Sequence, residues 1–201
     1  RYAVGRKPAT VRKELEVVRA GLNFFKKGTA AVFELPPQPP AKDRFLDKAE
    51  ARALLRAARR FSHVRAFIAL SLATGARQSA LLELTWDRVD FRRRTISLAL
   101  NDAQDEQRKR RATVPMTGRA YRYLRVLHAG RTCNHVIEWG GHRVLSIKKG
   151  FAAAAKRANL DGITPHILRH TAASWMAEAA AKVYVMDGVP IRAQFANEFS
   201  Q

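Results

Sequence analysis

Two imidazoles and one guanidinium are concentrated in the stretch Thr164-Pro165-His166-Ile167-Leu168-Arg169-His170-Thr171. Gly162 lies just before this stretch, and an Ala-rich run from Thr171 to Ala181 follows it. A Pro near the start and helix formers behind it predict that the polar cluster lies in the first turn of a helix. The free N–H groups and the positive dipole end of such a turn favour an anion.

The spacing inside this cluster leaves three interpretations open. His166 is three residues from Arg169 and four from His170, so it can share a helix face with either of them. A buried Arg beside a His at a helix N-terminus suits a phosphate. The two His also have a spacing that can bind zinc, but no nearby Cys, Asp or Glu supplies a third ligand, so we predict no metal. In the third interpretation His170 is structural and hydrogen-bonds a backbone carbonyl.

A second window predicts another anion-binding position. The stretch Ala73-Thr74-Gly75-Ala76-Arg77-Gln78-Ser79-Ala80-Leu81-Leu82-Glu83-Leu84-Thr85-Trp86 ends one apolar helix and begins another. Gly75 permits the tight turn between them. Arg77 is then expected in the first turn of the second helix, where the helix dipole disfavours a cation. An Arg placed against that preference indicates an anionic partner.

Together the two windows resemble the signature boxes of the tyrosine recombinases, the phage integrase family. The first box reads TGARxSxLLxLxWxxVD from Thr74 to Asp90, and the second reads HxLRHT from His166 to Thr171. The resemblance extends from about Arg44 to about Glu178. It implies a mainly α fold with a small antiparallel β-sheet or hairpin (α+β). It also implies site-specific recombination of double-stranded DNA by a homo-tetramer on paired sites, through a 3′-phosphotyrosyl intermediate and without a metal or cofactor.

The resemblance further assigns roles to individual residues. Arg77 and Arg169 clamp the phosphate as its charge develops, and His166 assists proton transfer. Lys109, the only Lys in a polar hairpin tip from Asn101 to Arg110, is the nearest match to the family lysine that protonates the leaving 5′ oxygen. Contacts with DNA are predicted for a further set of basic or imidazole side chains, namely Arg108, Arg110, Arg111, Lys148, Lys149 and His170.

The tail departs from the family pattern, in which a Leu-Gly-His element and a Tyr-bearing helix follow the second box. Here Gly188-Val189-Pro190-Ile191 arrives late, and no Leu-Gly-His follows before Gln201. Tyr184 is the only tyrosine after the second box, but it is too close to Arg169 and lacks the family surroundings. We therefore expect that Tyr184 is not the nucleophile and that this chain lacks one. A catalytically inactive DNA-binding relative stays open, as does an unrelated basic nucleic-acid-binding module.

The charge balance independently indicates a polyanionic partner. The 201 residues include 37 Lys and Arg against 17 Asp and Glu, a formal net charge of +20. Such an excess favours nucleic acid over small metabolites, and no long apolar run supports a membrane partner. Cys133 is the only cysteine and no signal peptide is visible, which fits a reducing cytoplasm. We expect a bacterial or phage-derived, nucleoid-associated protein, and a first residue other than Met indicates a fragment.

The pattern of apolar and turn residues predicts three segments. Residues 1–35 hold a helix from Thr10 to Lys27 that resembles the C-terminal part of a core-binding, DNA-binding domain, residues 36–43 form a Pro-rich linker, and residues 44–201 form the catalytic domain with an incomplete tail. Within the last segment the pattern predicts a capping box at Asp47 and a hairpin of two strands. Its further helices are predicted from Asp47 to about Arg60, His63 to Thr74, Ser79 to Leu84, Thr117 to Ala129, and Ser146 to Asn159 with Ser146 as the cap.

Overall fold

The computed structural model describes residues 7–25, 35–37, 44–99 and 113–186, with side chains as far as residue 181. Backbone contacts divide the chain into two compact units, Arg1–Asp43 and Arg44–Gln201. No helix in the described ranges has both the length and the apolar character needed to cross a membrane.

The described part of the first unit is a single helix with a short extended segment. Helix α1 spans Pro8–Phe25, and of its apolar residues Val11 is buried whereas Leu22 and Phe25 are exposed. The Arg12 guanidinium donates to the Pro36 carbonyl at 2.7 Å, so the helix and the Pro-rich segment are in contact within this unit. The helix was predicted from Thr10, and it begins two residues earlier, at Pro8.

The second unit is mainly helical. Its α-helices are α2 Lys48–Ala57, α3 Ser62–Thr74, α4 Gln78–Leu82, α5 Gly118–Ala129, α6 Lys148–Arg157 and α7 Pro165–Met186. Its strands are β1 Val89–Asp90, β2 Thr95–Ser97, β3 Thr113–Pro115, β4 Glu138–Trp139 and β5 His142–Arg143. A 3-10 turn, Trp86–Arg88, joins α4 to β1 through Leu84 and Thr85.

Helix α3 is the centre of this unit. Phe67, Ile68 and Leu70 are almost completely buried, and Val64 and Ala66 are buried on other sides of the same helix. A helix that is apolar on most of its faces lies inside a domain rather than on its surface. Accordingly α3 contacts α2, α4, α5, α6 and α7.

Both small sheets are antiparallel. In the first, β2 lies between β1 and β3, with Ile96 opposite both Val89 and Val114. The predicted hairpin of β2 and β3 is thus present, whereas β1 was not predicted because two residues give no readable alternation. The second sheet pairs β4 with β5, around a turn in which Gly140 and Gly141 have φ of 59° and 77°.

Helix caps were predicted from the sequence for α2 and for α6, and only the cap of α2 lies at the predicted residue. Asp47 accepts from the backbone N–H groups of Ala49 and Glu50 at 2.7 Å, and the Glu50 carboxylate accepts from the Asp47 N–H at 3.1 Å. The predicted capping box is therefore confirmed. The predicted N-cap position of α6 is wrong by one residue, because Ile147 and not Ser146 occupies it, although the Ser146 hydroxyl accepts a long hydrogen bond of 3.5 Å from the Lys148 N–H. Ile147 is 1% exposed, so the residue at this N-cap is buried in the core and makes no capping hydrogen bond with its side chain.

Candidate phosphate-binding site

The turn between α3 and α4 is held by its own backbone and by one buried hydroxyl. Gly75 caps α3 in the left-handed conformation with φ of 61°, and its N–H donates to the Ser71 carbonyl at 2.9 Å. The buried Thr74 hydroxyl donates to the Leu70 carbonyl at 2.7 Å and accepts from the Ala76 N–H at 3.2 Å. These bonds set the path of the chain into Arg77. Arg77 occupies the N-cap of α4, one residue before the first turn in which the sequence predicted it, and its side chain is exposed.

Buried side chains and hydrogen bonds hold the start of α7 in place. Leu168 and Thr171 are both fully buried. The Thr171 hydroxyl accepts from the Leu46 N–H at 2.9 Å and donates to the Ile167 carbonyl at 2.8 Å. Because these contacts fix the first two turns of α7, they also fix the position from which Arg169 extends.

Arg169 and Arg77 line one cavity. The Arg169 Nη1 donates to the Gly75 carbonyl at 2.5 Å, so a side chain of α7 is bonded to the turn that presents Arg77. The cavity has a volume of about 350 Å³. Its other lining residues come from the same turn and from β2, β3, α4 and α7, namely Thr74, Gly75, Ala76, Ala80, Leu98, Val114, Ala173 and Met176. Two arginines from distant parts of the sequence thus line one concave surface.

The two histidines of the second box lie beside this cavity's arginine rather than in its wall. His166 and His170 are exposed on α7, and their rings are packed edge to face with centroids 4.5 Å apart. Neither of them is among the residues that line the cavity. In the described ranges no group of three His, Cys, Asp or Glu side chains has the arrangement of a metal site.

The hairpin and α6 carry the remaining predicted residues. Arg108, Lys109, Arg110 and Arg111 lie outside the described residues. The described chain stops and resumes next to the cavity, however, because Leu98 of the β2 end and Val114 of β3 both line it. Lys148 and Lys149 are exposed in the first turn of α6, where the helix dipole does not favour cations.

The acceptor that orients Arg169 could not be predicted from the sequence. A backbone carbonyl carries no signal of its own in a sequence, and only the packing of α3 against α7 brings Gly75 to this arginine. The pairing of the two boxes in one family was the one indication that these segments meet. Pro165 likewise begins α7 as predicted, whereas the helix continues to Met186, past the predicted run that ended at Ala181.

A second cavity, of about 140 Å³, lies at the opposite end of α3 and contains none of the predicted site residues. His63, Trp86 and His135 line it together with Arg131 and Glu138 at its edge. The buried Nδ1 of His63 and Nε1 of Trp86 have no hydrogen-bond partner among the described residues. Burial lowers the pKa of His63 from its usual value, because the charged imidazolium loses solvation there.

Comparisons with known proteins identify the family of this chain. The model of the phage integrase family matches residues 44–187. The integrase of Salmonella phage P22 is 25% identical to this chain over an alignment of 203 positions, which covers 89% of this chain and 49% of that protein. The chain therefore spans about half the length of this curated relative.

Solved structures show the same fold at low sequence identity. XerA recombinase has a TM-score of 0.57 and 20% identity, with 81% of this chain and 60% of that chain covered. The Tn1549 transposon integrase in complex with transposon right-end DNA has a TM-score of 0.63 and 19% identity, over 84% and 65% of the two chains. A lambda integrase dimer bound to a COC′ core site has a TM-score of 0.62 and 15% identity, over 92% and 70%. The predicted fold class is confirmed.

Proposed function

This chain belongs to the phage integrase family, and from that premise we propose that it provides the phosphate-activating groups for site-specific recombination of duplex DNA. The observation that carries the proposal is the shared cavity of Arg77 and Arg169. Arg77 is the N-cap of α4 and Arg169 lies in α7, and the Arg169 guanidinium donates to the carbonyl of Gly75, two residues before Arg77. A pair of positioned cationic forks is suited to the non-bridging oxygens of a phosphodiester.

The proposed chemistry is a transfer of the phosphoryl group to a tyrosine. The tyrosine oxygen attacks phosphorus, the bond from phosphorus to O5′ breaks, and a 3′-phosphotyrosyl bond forms. Negative charge grows on the equatorial oxygens, and Arg77 and Arg169 stabilise it. The single hydrogen bond from Arg169 to Gly75 holds the guanidinium in place and leaves its other N–H groups for the phosphate.

Proton transfer is proposed for two further side chains. Lys109 donates the proton that the leaving 5′ oxygen takes up, and His166 assists. Support for Lys109 comes from the segment that contains it, since its described flanks at Leu98 and Val114 are both in the cavity wall. Support for His166 comes from its place on α7, three residues before Arg169 on adjoining turns.

We propose that Tyr184 is not the attacking residue in its own subunit. Arg169 and Tyr184 are both in the continuous helix α7, Pro165–Met186. Fifteen residues at a rise of about 1.5 Å place them about 22 Å apart along the helix axis. A phosphate bound by Arg169 is therefore too far from Tyr184 for direct attack.

The wider assembly is also part of the proposal. We propose that the exposed Lys148 and Lys149, His170, and the arginines of the hairpin contact the DNA backbone. Residues 1–35 act as part of a core-binding domain, joined by the segment 36–43 to the catalytic domain. The complete protein assembles as a homo-tetramer on paired sites and acts at the bacterial nucleoid. The solved complexes of the Tn1549 and lambda integrases with DNA support the DNA partner.

A nicked suicide duplex that carries the core site tests the catalytic proposal. The duplex is incubated with these 201 residues and with the product of the complete gene, and covalent adducts are resolved after denaturation. We expect no adduct from the 201 residues by themselves, and in the product of the complete gene we expect Arg77→Ala or Arg169→Ala to reduce the rate of adduct formation by about 100-fold or more, in line with losing one charge-stabilising group. Arg92→Ala, which removes an exposed arginine elsewhere, serves as the control and should leave the rate unchanged.

A catalytically inactive DNA-binding member of the family is the second candidate, and the distance between Arg169 and Tyr184 favours it. It predicts that neither protein forms an adduct on the cognate site while both still bind that site. An adduct formed by the chain of 201 residues and lost in Tyr184→Phe would instead overturn the assignment of the tail.

A further inference from the structure

Four arginines converge in one groove on the α2 and α3 side of the second unit. Arg52, Arg56 and Arg59 come from α2 and the turn after it, and Arg65 comes from the first turn of α3. Only Ala49 and Leu55 complete the lining. We call this concave surface the arginine groove, and all four of its arginines are exposed.

The charges in the arginine groove are not balanced within the described structure. No ion pair joins these four arginines to a carboxylate in the ranges that the structure describes. The acidic residues nearby are otherwise engaged, because Asp47 caps α2 and Glu50 pairs with Arg44 at 2.8 Å. Like charges at i and i+4, as in Arg52 and Arg56, destabilise a helix by about 0.2–0.5 kcal/mol.

Helix dipoles account for only part of this arrangement. A cation near the C-terminus of α2 is favourable, which explains Arg56 and Arg59. Arg52 lies in the middle of α2, beyond the reach of that effect. Arg65 lies in the first turn of α3, where the dipole opposes a cation. The helix dipoles therefore do not explain the convergence of all four arginines.

The arginine groove is separate from the cavity of Arg77 and Arg169. The two surfaces have no lining residue in common. An apolar depression lies between them, since it shares Arg52 and Leu55 with the groove and Met176 with the cavity. Tyr123 and Trp175 line that depression, which separates the arginine groove from the phosphate site.

We propose that the arginine groove is a second contact surface for duplex DNA, in which the four arginines bind the phosphates of a backbone outside the reacting site. The seven residue-to-residue steps from Arg52 to Arg59 span about 10 Å at a helical rise of about 1.5 Å. One strand of duplex DNA has a phosphate about every 3.4 Å of its axis, so this span faces about three phosphates. Arginine forks bind phosphate oxygens in pairs, which suits four arginines better than a diffuse positive surface.

The proposal rests on the proposed function only in taking duplex DNA as the ligand, and its test does not involve strand cleavage. Binding of the full chain to a duplex is measured by fluorescence anisotropy over a range of salt concentrations. The groove variant is Arg52→Ala, Arg56→Ala, Arg59→Ala. The control variant, Arg92→Ala, Arg93→Ala, Arg122→Ala, removes the same charge from exposed positions outside the groove.

We expect the groove variant to bind more weakly and to flatten the slope of log K against log salt by about 2.7, which corresponds to roughly 0.9 for each of three lost phosphate contacts. The control should change the slope by less than about 1. Replacing the same three arginines with Lys should retain the slope and lower the affinity, because Lys keeps the charge but not the fork. Thermal unfolding of each variant verifies that it folds.

Equal slopes for the groove variant and the control would overturn the proposal. So would unchanged duplex binding together with lost binding of a poly-glutamate peptide, which would assign the groove to an acidic protein segment. The outcome is distinguishable from a failure of the recombinase proposal, since adduct formation at Arg77 and Arg169 is measured separately.

Discussion

Helix α3 ends and helix α7 begins beside the cavity of Arg77 and Arg169, but the second unit holds the two helices in different ways. Helix α3 buries residues along its whole length, from Val64 to Thr74. Helix α7 buries Leu168, Thr171 and Ala172, and from Met176 to Ala181 every side chain is exposed. The end of α3 is therefore a fixed frame, and α7 is fixed only over the two turns that carry Arg169.

The largest expected effect of this difference is on stability. Phe67→Ala in α3 removes a side chain that is 1% exposed and should lower the free energy of unfolding by about 3–5 kcal/mol, because a cavity is left in the core. Met176→Ala in α7 removes a side chain that is 50% exposed and should lower it by less than about 1 kcal/mol. Urea unfolding of both variants measures the contrast, and similar losses would show that the two helices are held alike.

The anchor of α7 can be weakened without changing its shape. Thr171→Val keeps the volume but leaves the Leu46 N–H without its acceptor, and a buried unpaired N–H costs about 1–3 kcal/mol. Thr171→Ser retains the hydroxyl and is the matched control. We expect faster amide exchange at Leu46 and lower stability in the Val variant only. A Val variant as stable as the Ser variant would mean that packing of Leu168 and Ala172 holds α7 by itself.

The same contrast explains what the sequence could predict. Helix α3 could be predicted because apolar residues occupy most of its positions. The start of α7 could be predicted because Pro165 and the polar cluster are typical of a helix start. The length of α7 could not be predicted, since the Ala-rich run has no residue that would end a helix before Met186. Small strands such as β1 are fixed by their partners, here Ile96 and Thr95, rather than by their own two residues.

For the candidate site, too, the residue types could be predicted from the sequence, whereas their contacts depended on the fold. The identities of Arg77 and Arg169 could be proposed from two short motifs, because their residue types and spacing are unusual near helix starts. The hydrogen bond from Arg169 to the Gly75 carbonyl and the cavity that Arg169 shares with Arg77 could not be predicted from either motif, since both depend on how α3 and α7 pack. The arginine groove could not be predicted, because Arg52, Arg56 and Arg59 by themselves are typical of a solvated helix face. Only the fold places Arg65 beside them.

A substitution at Gly75 tests whether the turn at the end of α3 is rigid. Gly75→Ala places a Cβ on a residue with φ of 61°, where an L side chain costs about 1 kcal/mol. The added Cβ lies 3.6 Å from the Ala172 Cβ, which is ordinary contact, so the strain is in the backbone and not in the packing. We expect a loss of about 1 kcal/mol in stability and weaker DNA binding, because the Gly75 carbonyl orients Arg169.

Gly118→Ala is the control for that substitution. Gly118 is the first residue of α5 and has no positive φ, and a Cβ added there would meet no atom within 4 Å. Its replacement should therefore leave stability equal or slightly higher. If Gly75→Ala is as harmless as Gly118→Ala, the turn is not the rigid frame that the hydrogen bonds of Thr74 indicate.

The smallest expected effect is a pH dependence at the other end of α3. Burial lowers the pKa of His63, whose usual value is 6.5, and its Nδ1 lies in a cavity edged by Arg131, His135 and Glu138. Below about pH 6.5 the unfolded chain therefore binds a proton at this position that the folded chain does not, and stability falls as the pH falls. Above that pH both states are neutral and the contribution is constant.

His63→Gln should remove this part of the pH dependence and leave a smaller loss of stability between about pH 6.5 and pH 5. The pKa of His135, in the same cavity, is also lowered, chiefly by burial, so some dependence should remain in the variant. Ser62→Ala, a neighbouring change without a titrating group, should keep the full dependence. Unfolding free energies of the three proteins at a series of pH values measure the difference. Parallel curves for the His63 variant and the parent protein would show that the start of α3 is more open to solvent than its end.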